Sequence, residues 1–251
     1  MGGAIARGLI DSKFIPAKEI TVINKSDKNT AELKNYNNEI NIAVSDYNSL
    51  KDANIVIVAV KPWLVEEVLK TNSDKLIRDK QLIISVAAGI TLAQLQEWTT
   101  PHKAVFRAMP NTAIAIRQSM TFISSKNANN EENQLIGQIF SNLGKVEFID
   151  EKNFSAATAL SSCGIAYAFR YIRAAMEGGI EMGLYPTMSR DSVLQTLRGA
   201  IELIETNDSH PEVEIDKVTT PGGITIKGLN EMEHAGFTSA VIRGLKASNI
   251  K

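Results

Sequence analysis

The sequence predicts an α/β fold class, with a doubly wound sheet over residues 1–150 followed by an all-helical region over 151–251. Three observations carry this. Short apolar runs alternate with amphipathic stretches through the first 150 residues. Two of those runs, residues 54–60 (NIVIVAV) and 81–87 (QLIISVA), are apolar almost throughout, as strands covered on both faces are. After Asp150 no run alternates convincingly, and Gly, Pro and Asn punctuate helix-like segments instead.

The elements follow in order. Residues 1–10 (MGGAIARGLI) read as the start of a helix with no strand before it, so the sheet is expected to lack its first, central strand. Residues 19–24 (EITVIN) form a strand and 27–36 a polar helix. The strand at 54–60 leads into a helix through residue 69, opened by Pro62 in the first-turn position that proline favours. The strand at 81–87 precedes a helix over 92–98, capped by Thr91. Strands at 104–109 and 120–124, a helix at 131–143 and a last strand at 146–149 complete this part. Helices are then expected at 154–183, 188–205, 211–218, 224–234 and 238–248.

Composition narrows the class of function. The 251 residues are 44% apolar, enough for two ordinary domains. A net charge of −1 gives no global field that favours nucleic acid or an anionic membrane. The one cysteine, Cys163, allows no internal disulfide and fits a reducing cytoplasm. The longest apolar runs, such as 55–60, fall far short of the ~20 residues a membrane helix requires. A soluble cytoplasmic protein is expected, with no nucleic-acid partner and no membrane association. No His, Cys or carboxylate cluster has metal-ligand spacing, so no metal is expected.

The strand ends carry the first chemical signal. In a dinucleotide-binding (Rossmann) fold a strand runs through G-x-G-x-x-G into a helix whose first amides hold the pyrophosphate. Here the helix is present and Gly2 suits the last glycine of that loop; the residues also suit an ordinary glycine-rich start. The strand at 19–24 ends in Asn24-Lys25-Ser26, where such folds meet the adenosine ribose. A cation there accommodates the 2′-phosphate of NADP, so NADPH is favoured and NADH is left open. Alone, Lys25 reads as a solvated loop lysine; the Rossmann setting turns the reading toward the cofactor. Ala59-Val60-Lys61-Pro62, Ala87-Ala88-Gly89 and Met109-Pro110-Asn111-Thr112 stand at three further strand ends. Small residues there let a flat cofactor approach backbone, although each is also a plain strand-to-helix turn.

Two stretches stand out beyond residue 150. Residues 159–169 (ALSSCGIAYAF) put small side chains at helical spacing, which suits close packing of helices. Residues 219–225 (TTPGGIT) place hydroxyls and paired glycines ahead of a helix, a turn that exposes amides to an anion such as a carboxylate or simply caps the helix. The three histidines read as structural: His102 in a turn, His210 in a cap-like segment, His234 at a helix end.

On these residues the chain resembles pyrroline-5-carboxylate reductase, the last enzyme of proline synthesis. The resemblance covers essentially the whole chain. It runs from Gly2 through AVKP (59–62), SVAAGIT (85–91), RAMPNTA (107–113) and ALSSCGIAY (159–167) to TTPGGITIKGL (219–229) and GFTSAVI (236–242). It implies that 1-pyrroline-5-carboxylate is reduced to L-proline by hydride from NADPH. By the same resemblance Gly2, Asn24, Lys25, Ser26, Asp46, Ala59, Val60, Lys61, Pro62, Ala87, Ala88, Gly89 and Asn111 line the cofactor. Thr220, Gly222, Gly223, Ile224 and Thr225 bind the substrate, and the Thr225 hydroxyl is the catalytic group, at the imine nitrogen. The family's helical domain forms an intertwined homodimer, and some members build larger rings of dimers.

The sequence departs from the family in places. Ser162, Cys163 and Ile165 replace a glycine, a serine and a proline; Ile224 stands where a threonine is common; Asp46 stands where many members carry asparagine. The glycine loop is cut at Gly2, which predicts either a shortened chain with weak cofactor affinity or a protein that starts further upstream. Two alternatives follow. One is a reductase of another small imine or of a 3-hydroxyacid, though the lysine that the latter needs is missing from 154–183. The other is a non-catalytic nucleotide-binding dimer.

Overall fold

The computed structural model describes residues 1–27, 30–76, 81–99 and 104–249. The expected turn at His102 lies outside them, as do two residues of the helix expected over 27–36. The chain divides into two compact units, Met1–Ser162 and Cys163–Lys251.

The first unit is built on helices α1 (Gly2–Ser12), α2 (Thr30–Tyr36), α3 (Val65–Thr71), α4 (Leu92–Trp98) and α5 (Asn130–Ser141). Its strands are β1 (Thr21–Asn24), β2 (Asn41–Val44), β3 (Ile55–Val58), β4 (Leu82–Ser85), β5 (Ala104–Met109), β6 (Ser119–Lys126) and β7 (Gly144–Phe148). β1 and β2 pair in parallel, Thr21 against Asn41. The other five form a sheet in the order β3-β4-β5-β6-β7, parallel except where β6 runs antiparallel to β5.

Alternation along the strands decides which helix covers which face. Leu82, Ile84, Ala104 and Phe106 meet Ile5 and Leu9 of α1 and Ile136, Ile139 and Phe140 of α5. Ile83 and Val105, one residue out of phase, meet Val65 and Leu69 of α3 and Leu92, Leu95 and Trp98 of α4. Helices therefore cover both faces, which is the doubly wound arrangement expected. A third cluster of Ala6, Leu33 and Ile40, with Ile10, Ile20, Val22 and Ile42 against it, packs α1 and α2 on β1 and β2.

Three local readings change. β2 was not expected, because four residues between polar flanks give too short a pattern. Only Val58 of β3 is buried, and Ile55, Val56 and Ile57 are half-buried, because β3 is an edge of its sheet rather than a strand covered on all sides. The helix opened by Pro62 begins as a 3-10 turn over Pro62–Leu64 before α3. The cap on α4 is as expected and extends to a capping box, in which Thr91 and Gln94 satisfy each other's backbone amides.

From Phe154 the chain is helical: α6 (Phe154–Thr158), a π turn over Ala159–Cys163, α7 (Gly164–Glu181), α8 (Pro186–Asn207), α9 (Pro211–Val218), α10 (Ile224–His234) and α11 (Phe237–Ser248). Within the second unit, only Gly179 and Ser189 are buried among the described residues. They lie where α7 and α8 cross: a Cβ at Gly179 would come within 2.6 Å of Ser189 Oγ. Phe169, Ile201 and Leu203 are more than half exposed. Helices this apolar on the outside require a covering surface. No helix of the described residues is long and apolar enough to cross a membrane.

Candidate active site

α1 sets the frame of the first unit. Its first residue, Gly2, lies against the turn after β3, where a Cβ on Gly2 would sit 3.0 Å from Ala59 Cβ. Its last turn packs through Ile10 with Ile20 and Ile40, the residues that precede β1 and β2. The helix therefore runs antiparallel to β1, β2 and β3. Its N-terminus and the carboxyl ends of those strands share one edge, the edge where open α/β sheets bind ligands. Met1 caps the helix without a side-chain bond, and its carbonyl accepts from Ala4 N at 2.9 Å and Ile5 N at 3.0 Å. The amides ahead of Ala4 are left for an outside acceptor.

At the end of β1 the Asn24 side chain accepts from Lys25 N at 3.0 Å, and the Asn24 carbonyl accepts from Ser45 N at 2.8 Å. Ser45 Oγ donates to the Lys25 carbonyl at 2.9 Å. Ser45 takes a left-handed conformation, φ 53°, to make both contacts. The backbone of 24–25 is thereby held against β2 while Lys25 and Ser26 stay exposed. Asp46 follows, and its carboxylate accepts from Asn48 N at 2.9 Å. That bond uses the acid that distinguishes this position.

The next strand ends differ in openness. Ala59 and Val60 are half-buried and Lys61 is exposed, its carbonyl accepting from Leu64 N at 2.9 Å. Among the described residues neither Lys25 nor Lys61 forms an ion pair. Ala87 is buried, with its amide donating to Ser85 Oγ, whereas Ala88 and Gly89 are exposed. Gly89 has φ +79° and open space where a side chain would be. Asn111 is engaged within the protein. Its Oδ1 accepts from Ala113 N at 3.0 Å, and its Nδ2 reaches the Ser161 carbonyl at 3.5 Å. That carbonyl lies in the π turn, where the wider winding takes it out of the normal ladder. Ser162 Oγ donates to the Pro110 carbonyl at 3.3 Å from the same turn.

A charged cluster fixes the start of the helical segment. Glu151 Oε1 accepts from Leu92 N, at the N-terminus of α4, at 2.7 Å and from Arg107 Nη1 at 3.2 Å. The Arg107 guanidinium lies 4.3 Å from the centre of the Phe154 ring, and its Nε is buried without a partner. Burial lowers the Arg107 pKa from its ordinary value, and the Glu151 carboxylate opposes that shift.

In the second unit the 219–225 turn has a strict geometry. Gly222 has φ +73°, and a Cβ on Gly223 would fall 2.7 Å from Thr220 Oγ1. Both positions therefore need glycine. Gly223 caps α10 with no side-chain bond. Thr219 Oγ1 instead donates back to the carbonyls of Ile215 and Asp216. The first amides of α10 are thus open, and a side-chain cap is not their partner. Ile224 and Thr225 are exposed at this opening, Ile224 by 87%. His210 caps α9, its Nδ1 accepting from Glu212 N at 3.3 Å.

Three residues of this architecture carried no signal in the sequence. Ser45, Ser162 and Glu151 act through partners 20, 52 and 44 or more positions away.

Comparison with known proteins agrees with this fold. Residues 151–251 match the family described as pyrroline-5-carboxylate reductase dimerisation, and residues 1–89 the family described as NADP oxidoreductase, coenzyme F420-dependent. Pyrroline-5-carboxylate reductase 1 of Dictyostelium discoideum is 35% identical over 100% of this chain, which spans 47% of that protein's length. Pyrroline-5-carboxylate reductase of Pisum sativum is 35% identical over 99% of this chain and 90% of its own. The crystal structure of Plasmodium falciparum pyrroline carboxylate reductase with NADP bound superposes with a TM-score of 0.89 at 29% identity, over 99% of this chain and 92% of that one. Full-length agreement in sequence and fold makes this chain a member of the pyrroline-5-carboxylate reductase family.

Proposed function

We propose that this protein reduces 1-pyrroline-5-carboxylate to L-proline with NADPH, the closing reaction of proline synthesis. The observation that carries the reading is the end-to-end likeness to a reductase solved with NADP bound. The residues fit that cofactor. Gly2 brings uncapped amides beside Ala59, and Lys25 and Lys61 are cations without an ion pair among the described residues, on the same edge.

In this reading residues 1–150 hold the cofactor and 151–251 supply the dimer and the substrate site. Gly2 meets the pyrophosphate, and Asn24, Lys25 and Ser26 meet the 2′-phosphate, with Asp46 beside the adenosine. Ala59, Val60, Lys61, Pro62, Ala87, Ala88, Gly89 and Asn111 border the rest of the crevice. The bound nicotinamide supplies a hydride to the imine carbon. The open amides at the start of α10, from Ile224 on, fix the substrate carboxylate beside Gly222 and Gly223, with Thr220 at their margin. Thr225 Oγ1 accepts a hydrogen bond from the protonated imine nitrogen, which orients the electrophilic carbon. Catalysis is then chiefly orientation, worth about 7–11 kcal/mol when geometry is ideal. The protein works in the cytoplasm as a homodimer or a ring of dimers, without nucleic acid or membrane.

The test is direct. The purified chain is titrated with NADPH and NADH, then assayed for NADPH oxidation on addition of 1-pyrroline-5-carboxylate. Tighter NADPH binding with turnover supports the reading. Binding without turnover, or no binding, contradicts it.

A further inference from the structure

Trp63 is the side chain this site has not used. Its indole is 75% exposed, whereas the other tryptophan, Trp98, is 9% exposed in the core between α3 and α4. An indole left in water forgoes a large apolar burial, which a flat ring stacked on it would supply. Trp63 stands in the 3-10 turn Pro62–Leu64, two residues beyond the exposed Lys61. Pro62 fixes φ at the start of that turn, and Val65, fully buried, anchors the helix behind it. The ring is therefore offered on a stiff support, which lowers the ordering cost of binding.

The direction of the dinucleotide follows from the strand ends. Its pyrophosphate at Gly2 lies beside Ala59, at the turn that leads to Trp63. From there the adenosine half runs toward β1 and β2, where Lys25 and Ser26 wait for the 2′-phosphate. α1 packs on β1, β2 and β3 alike, so the turn after β3 borders that half. β4 and β5, with Ala87–Gly89 and Asn111 at their ends, lie on the far side of β3. A flat ring on the β3 turn meets the adenine before the nicotinamide.

We infer that the Trp63 indole is the face on which the adenine ring of NADPH stacks, which makes Trp63 a further cofactor-binding residue. The inference rests on the NADPH reading above. Stacking of a base on an aromatic ring is tolerant of exact pose, and its loss to alanine costs roughly tenfold or more in affinity.

The experiment uses the intact protein and two half-cofactors. Adenosine 2′,5′-bisphosphate carries the adenine and the 2′-phosphate; reduced nicotinamide mononucleotide carries the other half. The bisphosphate is expected to quench and blue-shift the emission of Trp63, with Trp98 unaffected. W63A removes that change and weakens the bisphosphate roughly tenfold, while W63F restores affinity to within about threefold. The mononucleotide binds W63A and wild type alike. Unchanged bisphosphate affinity in W63A overturns the inference. So does an emission change driven by the mononucleotide alone, or a W63A protein whose only change is a lower assembly mass, which assigns the indole to a second copy of the chain. A wild-type protein that binds neither NADPH nor the bisphosphate overturns the proposed function first, a result visible before any variant is made.

Discussion

Gly2 and Ala59 are in near-contact: a Cβ added to Gly2 would lie 3.0 Å from the Ala59 Cβ. The pair locks the N-terminus of α1 to the turn after β3, and no side chain stands between the helix amides and the crevice. Gly2→Val must push that junction apart, at a cost of about 1–3 kcal/mol for an overpacked contact. NADPH affinity is expected to fall roughly tenfold by the same estimate. Ala59→Gly in the same chain opens the space again and recovers part of the loss. Calorimetric titration of the two single variants and the double variant measures this coupling; additive losses would show that the two positions act separately.

Lys25 tests cofactor choice. Its ammonium has no ion pair among the described residues and stands at the end of β1. Lys25→Ala is expected to weaken NADPH about tenfold or more, the range of a hydrogen bond to a charged group, and to leave NADH within about twofold. Titrations with each cofactor decide it. Equal losses for both would remove Lys25 from the 2′-phosphate.

Glu151 ties the first helical segment to the sheet. It serves Leu92 N and Arg107 together, and the Arg107 side chain is only 11% exposed. Glu151→Ala strands that guanidinium and leaves Leu92 N without its carboxylate acceptor, while the Thr91–Gln94 capping box stays in place. A loss of about 2–4 kcal/mol in unfolding free energy is expected, below the range for fully buried pairs because Glu151 is one-third exposed. Urea unfolding reads it. An unchanged midpoint would mean that Phe154 and water already satisfy Arg107.

The helical unit needs a covering surface, because only Gly179 and Ser189 are buried among its described residues. Phe169, 59% exposed on α7, is the side chain we propose for that surface. Phe169→Glu is expected to raise the dimer dissociation constant by about thirtyfold or more, the cost of losing an interface anchor. Sedimentation velocity across a dilution series checks it, and an unaltered dimer would place the interface on another face.

The features legible in the sequence are those with a local physical cause. Strand Ala104–Met109 and helices Pro211–Val218 and Ile224–His234 have the bounds the sequence predicts, because punctuation by Pro, Gly and hydroxyl caps falls at their ends. Gly222 and Gly223 were readable for the same reason: one needs a positive φ, the other has no room for a Cβ. β2 was not readable, since four residues carry too little pattern. Nor was the π turn at Ala159–Cys163, where small residues read as ordinary helix and the deciding contacts come from Pro110 and Asn111. Ser45 and Glu151 stayed hidden because their roles exist only once distant strands meet.

Imine reduction with Thr225 at the nitrogen unites the cofactor crevice with the 219–225 turn in the proposed function. The decisive measurement is steady-state NADPH oxidation with 1-pyrroline-5-carboxylate by wild type and Thr225→Ala, beside NADPH affinity for both. Wild type is expected to turn over and the variant to lose roughly 10–100-fold in kcat/KM, the cost of one polar contact to a charged group. NADPH affinity should stay within about twofold, since the proposed role of the Thr225 hydroxyl is at the substrate and not at the cofactor. A variant that turns over like wild type, or one that loses NADPH affinity in proportion to its rate, would contradict that role.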